Sequence, residues 1–427
     1  MASAMVADFN EKENEMVGST AERKVDQKWH LAKLIILLIA LPFAQSGMAQ
    51  TQLLFSNSVI YDQNVFRNYL QIPDWINQTS IVLNQTFSFK SMHLRLDYAG
   101  DLSLFQQYEE RLFHSHQLGV QTLLLQGRQL QLNIGANAQL RLNKPEYNIY
   151  DYSDWYVYSQ VHYAPGQSLP IEFGYRFRSR QFSNLPELSY YEHFGFLRIK
   201  HFFPTKTTFI GEIDLADKTF RHQQILEEMI ITSVGSDGMG RGRKHGQGNG
   251  EVSTDTAIVA YNLTAPQTHQ WRLQLKLAQS LTPTTGISLE YSRRFKPSDQ
   301  TRYLGGQEYS YSREDELYDD QYTYSSHEGS LVLTKLLPWS SQAKVYATMH
   351  EKDYIYPAYA NDENQADVMR HDIQTMLGIE MRKPFNLGMI IQNITAQFSC
   401  FYLNNDSNDA YFKFRGSIFS AGVEFTI

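Results

Sequence analysis

The sequence predicts an all-β fold: a transmembrane antiparallel up-and-down β-barrel of about sixteen strands (roughly 14–18), with short periplasmic turns and long extracellular loops. Three observations lead to this fold class. Long segments alternate apolar and polar residues, and the connections between them alternate between short and long. No segment after residue 43 has the apolar length that a membrane-spanning helix needs.

The composition suits a large barrel and excludes other classes. The 427 residues carry a net charge of −7, which gives no reason to expect a nucleic-acid partner. The mean hydropathy of −0.42 excludes a bundle of membrane helices. A single cysteine, Cys400, excludes an internal disulfide framework.

Residues 1–49 have the layout of a secretory signal peptide with an over-long n-region. The apolar run LIILLIALPF, residues 34–43, follows Lys28 and Lys33 and precedes small residues before a cut after Ala49. Met5 and Met16 are alternative start sites, and a buried core helix is the alternative structure. We expect residues 50–427 to form a single barrel domain outside the cytoplasm.

Sustained alternation is the main strand signal. In QLQLNIGANAQLRL, residues 129–142, apolar side chains share one face and polar ones the other. Soluble strands usually have about five or six residues, whereas a tilted membrane strand needs roughly 9–11. Similar patterns occupy residues 92–98, 171–180, 271–279 and 343–350. The only helix candidate is LFQQYEERLFHSH, residues 104–116, as a short loop helix.

The connection lengths fix the strand count. The segment TAIVAYNL, residues 256–263, is assigned to a long 218–268 loop, because a barrel strand there would move the long 296–325 loop to the short-turn side. The remaining strands are predicted near 53–61, 80–89, 92–99, 116–126, 129–141, 154–164, 170–181, 191–203, 206–217, 269–280, 286–295, 326–337, 342–354, 370–382, 388–404 and 411–427. This even number places both termini on the short-turn side.

Sixteen strands enclose a lumen too wide for side chains to fill, so the apolar stripe must face lipid and the polar stripe water. The alternative is a secreted all-β solenoid or multi-sandwich protein. The tryptophans near predicted strand ends are expected to lie at the membrane interface, as aromatic girdles do. They are Trp75, Trp155, Trp271 and Trp339.

Two short motifs carry a resemblance to known proteins. The stretch VIYDQNVFRN, residues 59–68, looks like a YDxNxFR-type barrel opening. The last strand is similar to the C-terminal signal of outer-membrane barrels, with Phe419, Val423, Phe425 and Ile427 on one face, although it ends in Ile427 rather than an aromatic residue. On these features the chain resembles bacterial (Gram-negative type) outer-membrane β-barrel proteins of a porin-like kind. The resemblance implies secretion across the inner membrane, an outer-membrane location, and outer-membrane lipid and the barrel-assembly machinery as partners.

A ladder of arginines is the strongest site candidate. Arg176, Arg178 and Arg180 are two residues apart and therefore share the lumen face of one strand. Other bases on predicted lumen faces are Arg95, Arg141, Arg272, Lys276 and Arg294. Positive charge lining a pore attracts anions. The alternative is that carboxylates such as Asp97, Glu172 and Glu290 pair with these bases and rigidify the wall.

Other candidate sites are weaker. Acidic clusters at 109–110, 227–228, 314–316, 319–320 and 362–363 are interpreted as solvated loop, with divalent-cation binding or a loop folded into the pore as the alternatives. The glycine-rich stretch 235–250 lacks the ending of a phosphate-binding loop. No spacing indicates a catalytic serine with its base, a metal site or a cofactor.

The sequence therefore predicts a channel, not an enzyme: a barrel in the outer membrane through which small polar or ionic solutes diffuse, with a leaning towards anions. One alternative is a structural or surface-interaction barrel whose lumen is filled by loops. A barrel hydrolase is the third hypothesis. The solute and the oligomeric state are not encoded in any recognisable motif.

Overall fold

The computed structural model describes residues 49–89, 92–124, 127, 129–221, 267–295, 320–358, 368–388 and 393–427. Several predicted features lie outside these residues. They are the signal peptide up to residue 48, most of the 218–268 and 296–325 loops, the segment 256–263, the glycine-rich stretch, and the acidic clusters at 227–228, 314–316 and 362–363, together with residue 319.

The described residues form a closed antiparallel barrel in which each strand pairs with its neighbours in sequence and β1 pairs with β16. The predicted sixteen-stranded fold is confirmed. The strands are β1 (Ala49–Asp62), β2 (Asp74–Ser88), β3 (His93–Phe105), β4 (Phe113–Leu124), β5 (Leu130–Asn143), β6 (Tyr152–Tyr163), β7 (Ile171–Phe182), β8 (Tyr190–Phe202), β9 (Thr207–Phe220), β10 (Gln267–Thr282), β11 (Thr285–Phe295), β12 (Tyr324–Leu336), β13 (Gln342–Pro357), β14 (Met369–Asn386), β15 (Asn393–Ser407) and β16 (Phe414–Thr426).

The predicted loop helix at 104–116 is wrong. Only Glu109–Arg111 forms a single 3₁₀ turn, while Phe105 ends β3 and Phe113 begins β4. The strands extend further because their backbone groups pair across β2, β3 and β4 up to these positions. Both phenylalanines are buried in one apolar cluster with residues of the neighbouring loop 63–73, which stabilises the extended ribbon.

The two faces of the barrel differ as the alternation predicts. Outward side chains are apolar and exposed, as Leu215, Leu289 and Leu377 illustrate. Inward side chains on the same strands are polar or charged. Such a surface suits lipid outside and water inside, and barrel closure pairs the backbone groups that lipid cannot solvate. Among the described residues, no helix combines the length and the apolar character needed to cross a bilayer.

Three small apolar cores lie inside the barrel at its long-loop end. One contains Val65 and Phe66 of loop 63–73, and a second contains Tyr150 and Leu188 of two further loops. The third joins Tyr324, Tyr354 and Tyr356. Burial of these aromatic and aliphatic groups holds the described loops inward over the rim.

The C-terminal strand closes the ring. Residues 418–426 of β16 pair in register with 54–62 of β1, and Phe55 lies opposite Phe425. The Leu53 amide donates to the Ile427 carbonyl at 3.0 Å, and the Ile427 amide donates back at 2.9 Å. The clean alternation at the end of the chain therefore has a structural cause, because these residues are the last partners of the first strand.

Candidate functional site

One side of the lumen carries most of the predicted site. The inward side chains of β6 to β10 form what we call the charged wall, in which acids and bases alternate from strand to strand. Period-two geometry places residues two apart on the same face, and register then puts opposite charges beside each other. Arg178, for example, lies directly opposite Glu192, which lies opposite Lys218.

The arginine ladder of β7 is paired along its whole length. Arg176 Nη2 lies 2.9 Å from Glu192 Oε1, and Arg178 Nη2 lies 2.5 Å from Asp154 Oδ2. Arg180 contacts the same aspartate oxygen at 2.8 Å. The ladder is therefore tied to both neighbouring strands, which fixes the position of each guanidinium group.

A second set of pairs continues the wall towards β10. Arg198 Nη1 lies 2.9 Å from Glu172 Oε2, and its Nε bonds Glu212. Lys200 Nζ lies 2.7 Å from the other oxygen of Glu172. Arg272 bridges Asp214 at 2.5 Å and Glu212 at 3.2 Å. The two glutamates are shared between bases, so the pairs form one continuous network.

The bases reach the lumen water and the acids largely do not. The side chain of Arg176 is 35 % exposed against 2 % for Glu192, and that of Arg198 is 34 % exposed against 10 % for Glu172. The side chain of Arg272 is likewise 31 % exposed, against 6 % for Asp214. A solute at this wall therefore meets guanidinium groups first, with their counter-charges behind them.

The structure corrects one predicted pore-lining residue, Arg180, and buries most of a second, Arg141. Arg180 and Arg141 are buried, because aromatic residues at the rim cover them. The Arg180 guanidinium lies 4.1 Å from the centre of the Tyr152 ring, and that of Arg141 lies 4.1 Å from the centre of the Phe113 ring. Arg180 belongs to the packed long-loop end of the barrel and not to the water-facing wall, whereas Arg141, although largely buried, still borders a cavity of the lumen.

The remaining predicted bases face the lumen with partners. Lys276 lies 3.1 Å from Glu290, and Arg95 bonds Asp97, as the alternative hypothesis of paired bases expected. Glu172, in contrast, pairs with Arg198 and Lys200 of β8. These two bases were missed, although the alternation FGFLRIK of that strand places them on one face.

On the opposite side of the lumen most inward side chains are uncharged, with Glu424 of β16, which accepts from Gln397, as an exception. The inward side chains of β15, β16, β1 and β2 form what we call the hydroxyl wall, represented by Ser399, Ser420, Ser58 and Ser80. A cavity of about 610 Å³ lies against this wall and is bounded towards the rim by Arg67, among other residues. The lumen thus presents neutral hydrogen-bonding groups facing a row of positive charges.

The predicted interface tryptophans point away from the lumen. Trp75, Trp155 and Trp271 lie near the starts of β2, β6 and β10, at the long-loop end, and are exposed. Trp339 lies in the turn between β12 and β13, at the short-turn end. Their positions are those of two aromatic girdles, and their contact with the membrane interface stays a prediction.

In the described part of the chain, the serine and histidines of β4 do not form a catalytic group, and no cluster of metal ligands occurs. His114, Ser115 and His116 lie in β4, not in a loop, and the serine faces the lumen while both histidines face outward. A serine and a base on opposite faces of one strand cannot cooperate. Within the described ranges, no group of three or more histidine, cysteine or acidic residues could hold a metal ion.

Comparison with known proteins gives a likeness of fold. No family model matches the sequence, and no curated protein matches it. The solved structure of Acinetobacter baumannii OccAB1 is similar with a TM-score of 0.51 and 8 % identity, covering 90 % of this chain and 98 % of that one. The outer membrane protein OprD from Pseudomonas aeruginosa is similar at a TM-score of 0.46 and 9 % identity, over 89 % and 93 % of the chains.

A third structure, Pseudomonas aeruginosa OccK2 (OpdF) in complex with glucuronate, has a TM-score of 0.47 and 9 % identity, over 90 % of this chain and 99 % of that one. At such identities the likeness concerns the barrel architecture. Lipid-suited outer faces, a wet charged interior and a fully paired sheet are the properties of transmembrane barrels. The chain has the sixteen-stranded, porin-like fold of a transmembrane β-barrel.

Proposed function

We propose that the barrel is a channel through which small polar or ionic solutes diffuse across the outer membrane, and that it favours anions. The observation that carries this proposal is the unequal exposure within the charged wall. Its guanidinium groups stand towards the lumen, while Glu192 and Asp214 lie beneath them. Fixed charges of one sign lining a confined aqueous path raise the local concentration of the opposite ion.

The two walls complement each other for such solutes. The hydroxyl wall offers serine and amide groups that bond a polar solute without strong electrostatic trapping. The charged wall offers a row of bases, among them Arg176, Arg198 and Arg272, that an anion passes in succession. Because each base stays paired with a carboxylate, often one that it shares, the attraction is moderated, and an ion that enters can also leave.

A second candidate function rests on the described rim loops. Val65 and Phe66 of loop 63–73 are buried inside the barrel end, so at least one loop folds inward. A barrel whose other loops did the same would be a structural or surface-interaction protein with a filled lumen. Solute flux separates the two functions, since a filled lumen passes none.

The experiment measures efflux of labelled solutes from vesicles that contain the folded full-length barrel. Three solutes of similar size are compared: a small carboxylate, a neutral polyol and a small quaternary ammonium ion. We expect all three to leave faster than from empty vesicles, and the carboxylate to leave faster than the ammonium ion. Rates equal to those of empty vesicles would contradict the channel, and equal rates for the two ions would contradict the anion preference alone.

A charge variant sharpens this test. In R176Q/K276Q the acids keep partners, because Glu192 retains Arg178 and Glu290 retains Gln274. We expect the ratio of anion to cation efflux to fall about two- to fivefold. The control K383Q removes a lysine beside Trp339 at the short-turn end and should leave the ratio unchanged.

A further inference from the structure

Most of the described histidines gather outside the barrel at the long-loop end. Six of them lie within the first four residues of β4, β8, β10, β12 or β14, on the outward face. We call them the histidine belt: His114, His116, His193, His269, His327 and His371. The His193 ring lies 5.0 Å from that of Phe177, which in turn lies 5.4 Å from that of Trp155, so this part of the belt adjoins the row of tryptophans at the long-loop end.

Three belt histidines share a hydrogen bond with a tyrosine of the preceding strand. The Nδ1 atoms of His116, His193 and His327 lie 3.0, 2.6 and 2.7 Å from tyrosine hydroxyls. The tyrosines are Tyr98, Tyr175 and Tyr291. A phenol can donate to a neutral imidazole and accept from a protonated one. The pair therefore survives a change in the charge of the ring.

The charged groups around the belt are few and mixed in sign. Asp217 lies opposite both His193 and His269, with 2.5 Å between its Oδ2 and Nδ1 of His269. Asp353 lies 2.8 Å from His371. Arg293 and Glu351 lie opposite His327 on the two neighbouring strands. Arg221 lies over the Tyr191 ring, and Asp406 pairs with Lys413. With neutral histidines the acids leave this surface without net attraction for anions.

We propose that the histidine belt binds the phosphate-bearing headgroups of the outer leaflet and does so more tightly as the pH falls. Imidazole is the side chain that gains a positive charge in mild acid, so acidification adds positive charge around the outside of the barrel. At His193, His269, His327 and His371 the new charge offsets a neighbouring acid, which is Asp217, Glu351 or Asp353. At His116, whose hydrogen-bond partner is a tyrosine, the ring becomes positive beside a neutral group. Both changes favour an anionic headgroup at the level where headgroups lie.

The test uses the folded full-length barrel in phosphatidylcholine vesicles with spin-labelled phosphatidylglycerol, whose single charge does not change between pH 8 and 5.5. Electron paramagnetic resonance measures the fraction of labelled lipid whose motion the barrel restricts. Comparing this fraction for labelled phosphatidylglycerol and labelled phosphatidylcholine gives the preference for the anionic lipid. A basic residue near an anionic surface contributes about 1 kcal/mol, so we expect the preference to rise about fivefold on acidification. A preference that is flat with pH in the wild-type protein would overturn the proposal without any variant.

Variants assign the effect to the belt. In H116Q/H193Q/H327Q, glutamine keeps a hydrogen-bonding group beside each tyrosine but cannot become charged. We expect about half of the pH response to disappear, because His114, His269 and His371 remain. The control H201Q alters a histidine at the short-turn end, packed on Phe203 with ring centres 4.2 Å apart, and should keep the response. An unchanged response in the triple variant would place the charge elsewhere and contradict the proposal.

Discussion

Arg176 and Glu192 bond across β7 and β8 at 2.9 Å, yet they face different surroundings: 35 % of the arginine side chain is exposed and 2 % of the glutamate side chain. Arg178 lies 3.8 Å from the other oxygen of the same glutamate. One buried acid therefore positions two bases, and the lumen receives the outer one. This arrangement links the rigidity of the wall to its electrostatic character.

The buried acid should matter more for stability than an exposed one in the same wall. Removing the charge of Glu192 in E192Q leaves two bases without their shared partner in a poorly solvated site. We expect the free energy of unfolding to fall by about 3–5 kcal/mol. Urea titration of the barrel refolded in lipid vesicles measures it.

E290Q is the matched control for this prediction, because Glu290 pairs with Lys276 but is 29 % exposed. A solvated pair of this kind contributes about 0–1 kcal/mol. Equal losses in the two variants would show that burial does not set the strength of these contacts.

Arg370 is predicted to hold the long-loop end of β14 in place. Its guanidinium lies 3.4 Å from the centre of the Phe412 ring and 4.1 Å from that of Tyr354, and it bonds Asp372. R370M should lower the free energy of unfolding by about 3–5 kcal/mol, since it leaves a buried carboxylate without its cation. Urea titration measures the change, and limited proteolysis at residues 408–413 reports release of the loop.

A double variant separates charge from packing at this site. R370M/D372N removes both members of the pair and should recover part of the lost stability, because no unpaired charge remains. If the double variant is no more stable than R370M, the aromatic contacts of the arginine and not its charge stabilise the rim.

The lumen width should respond to one glycine. A Cβ atom on Gly378 would collide with the ring of Phe401, which lines the cavity beside the hydroxyl wall. G378V should therefore push this ring into the lumen and lower the single-channel conductance. G329V adds the same side chain on β12 where no atom lies within 4 Å, and its conductance should equal that of the wild type.

The C-terminal motif is predicted to act during assembly. Phe425 packs on Phe55 across the closing seam with ring centres 6.0 Å apart. F425S should fold in detergent but reach the outer membrane in reduced amount, as judged by the heat-modifiable band of isolated membranes. F398S removes an outward phenylalanine of β15, outside the motif, and should assemble more fully. Equal assembly of the two variants would argue against a terminal signal.

The barrel could be predicted closely because alternation and turn chemistry are local. All sixteen strands were predicted with their ends within six residues of the observed ones, and the pairing of β16 with β1 followed from closure. The helix predicted at 104–116 failed for a non-local reason. The backbone of this segment pairs with β2 on one side and, between β3 and β4, with itself. Phe105 and Phe113 are buried against loop 63–73, which is distant in sequence.

The site was only partly predictable for a similar reason. Period-two spacing assigns Arg176, Arg178 and Arg180 to one face, but it does not show that the Tyr152 ring of the neighbouring strand covers the last of them. Nor does the spacing show that Phe113 covers most of Arg141. The unequal exposure of acids and bases depends on side-chain packing across β6 to β10, which no single strand encodes.

Planar-bilayer recording of the purified, folded barrel tests the central claim most directly. We predict discrete conductance steps in the wild-type protein. In a salt gradient, we predict a reversal potential whose sign indicates anion selectivity and whose magnitude is smaller in R176Q/K276Q. An absence of steps from protein that still shows heat-modifiable folding would contradict the channel and favour the filled barrel.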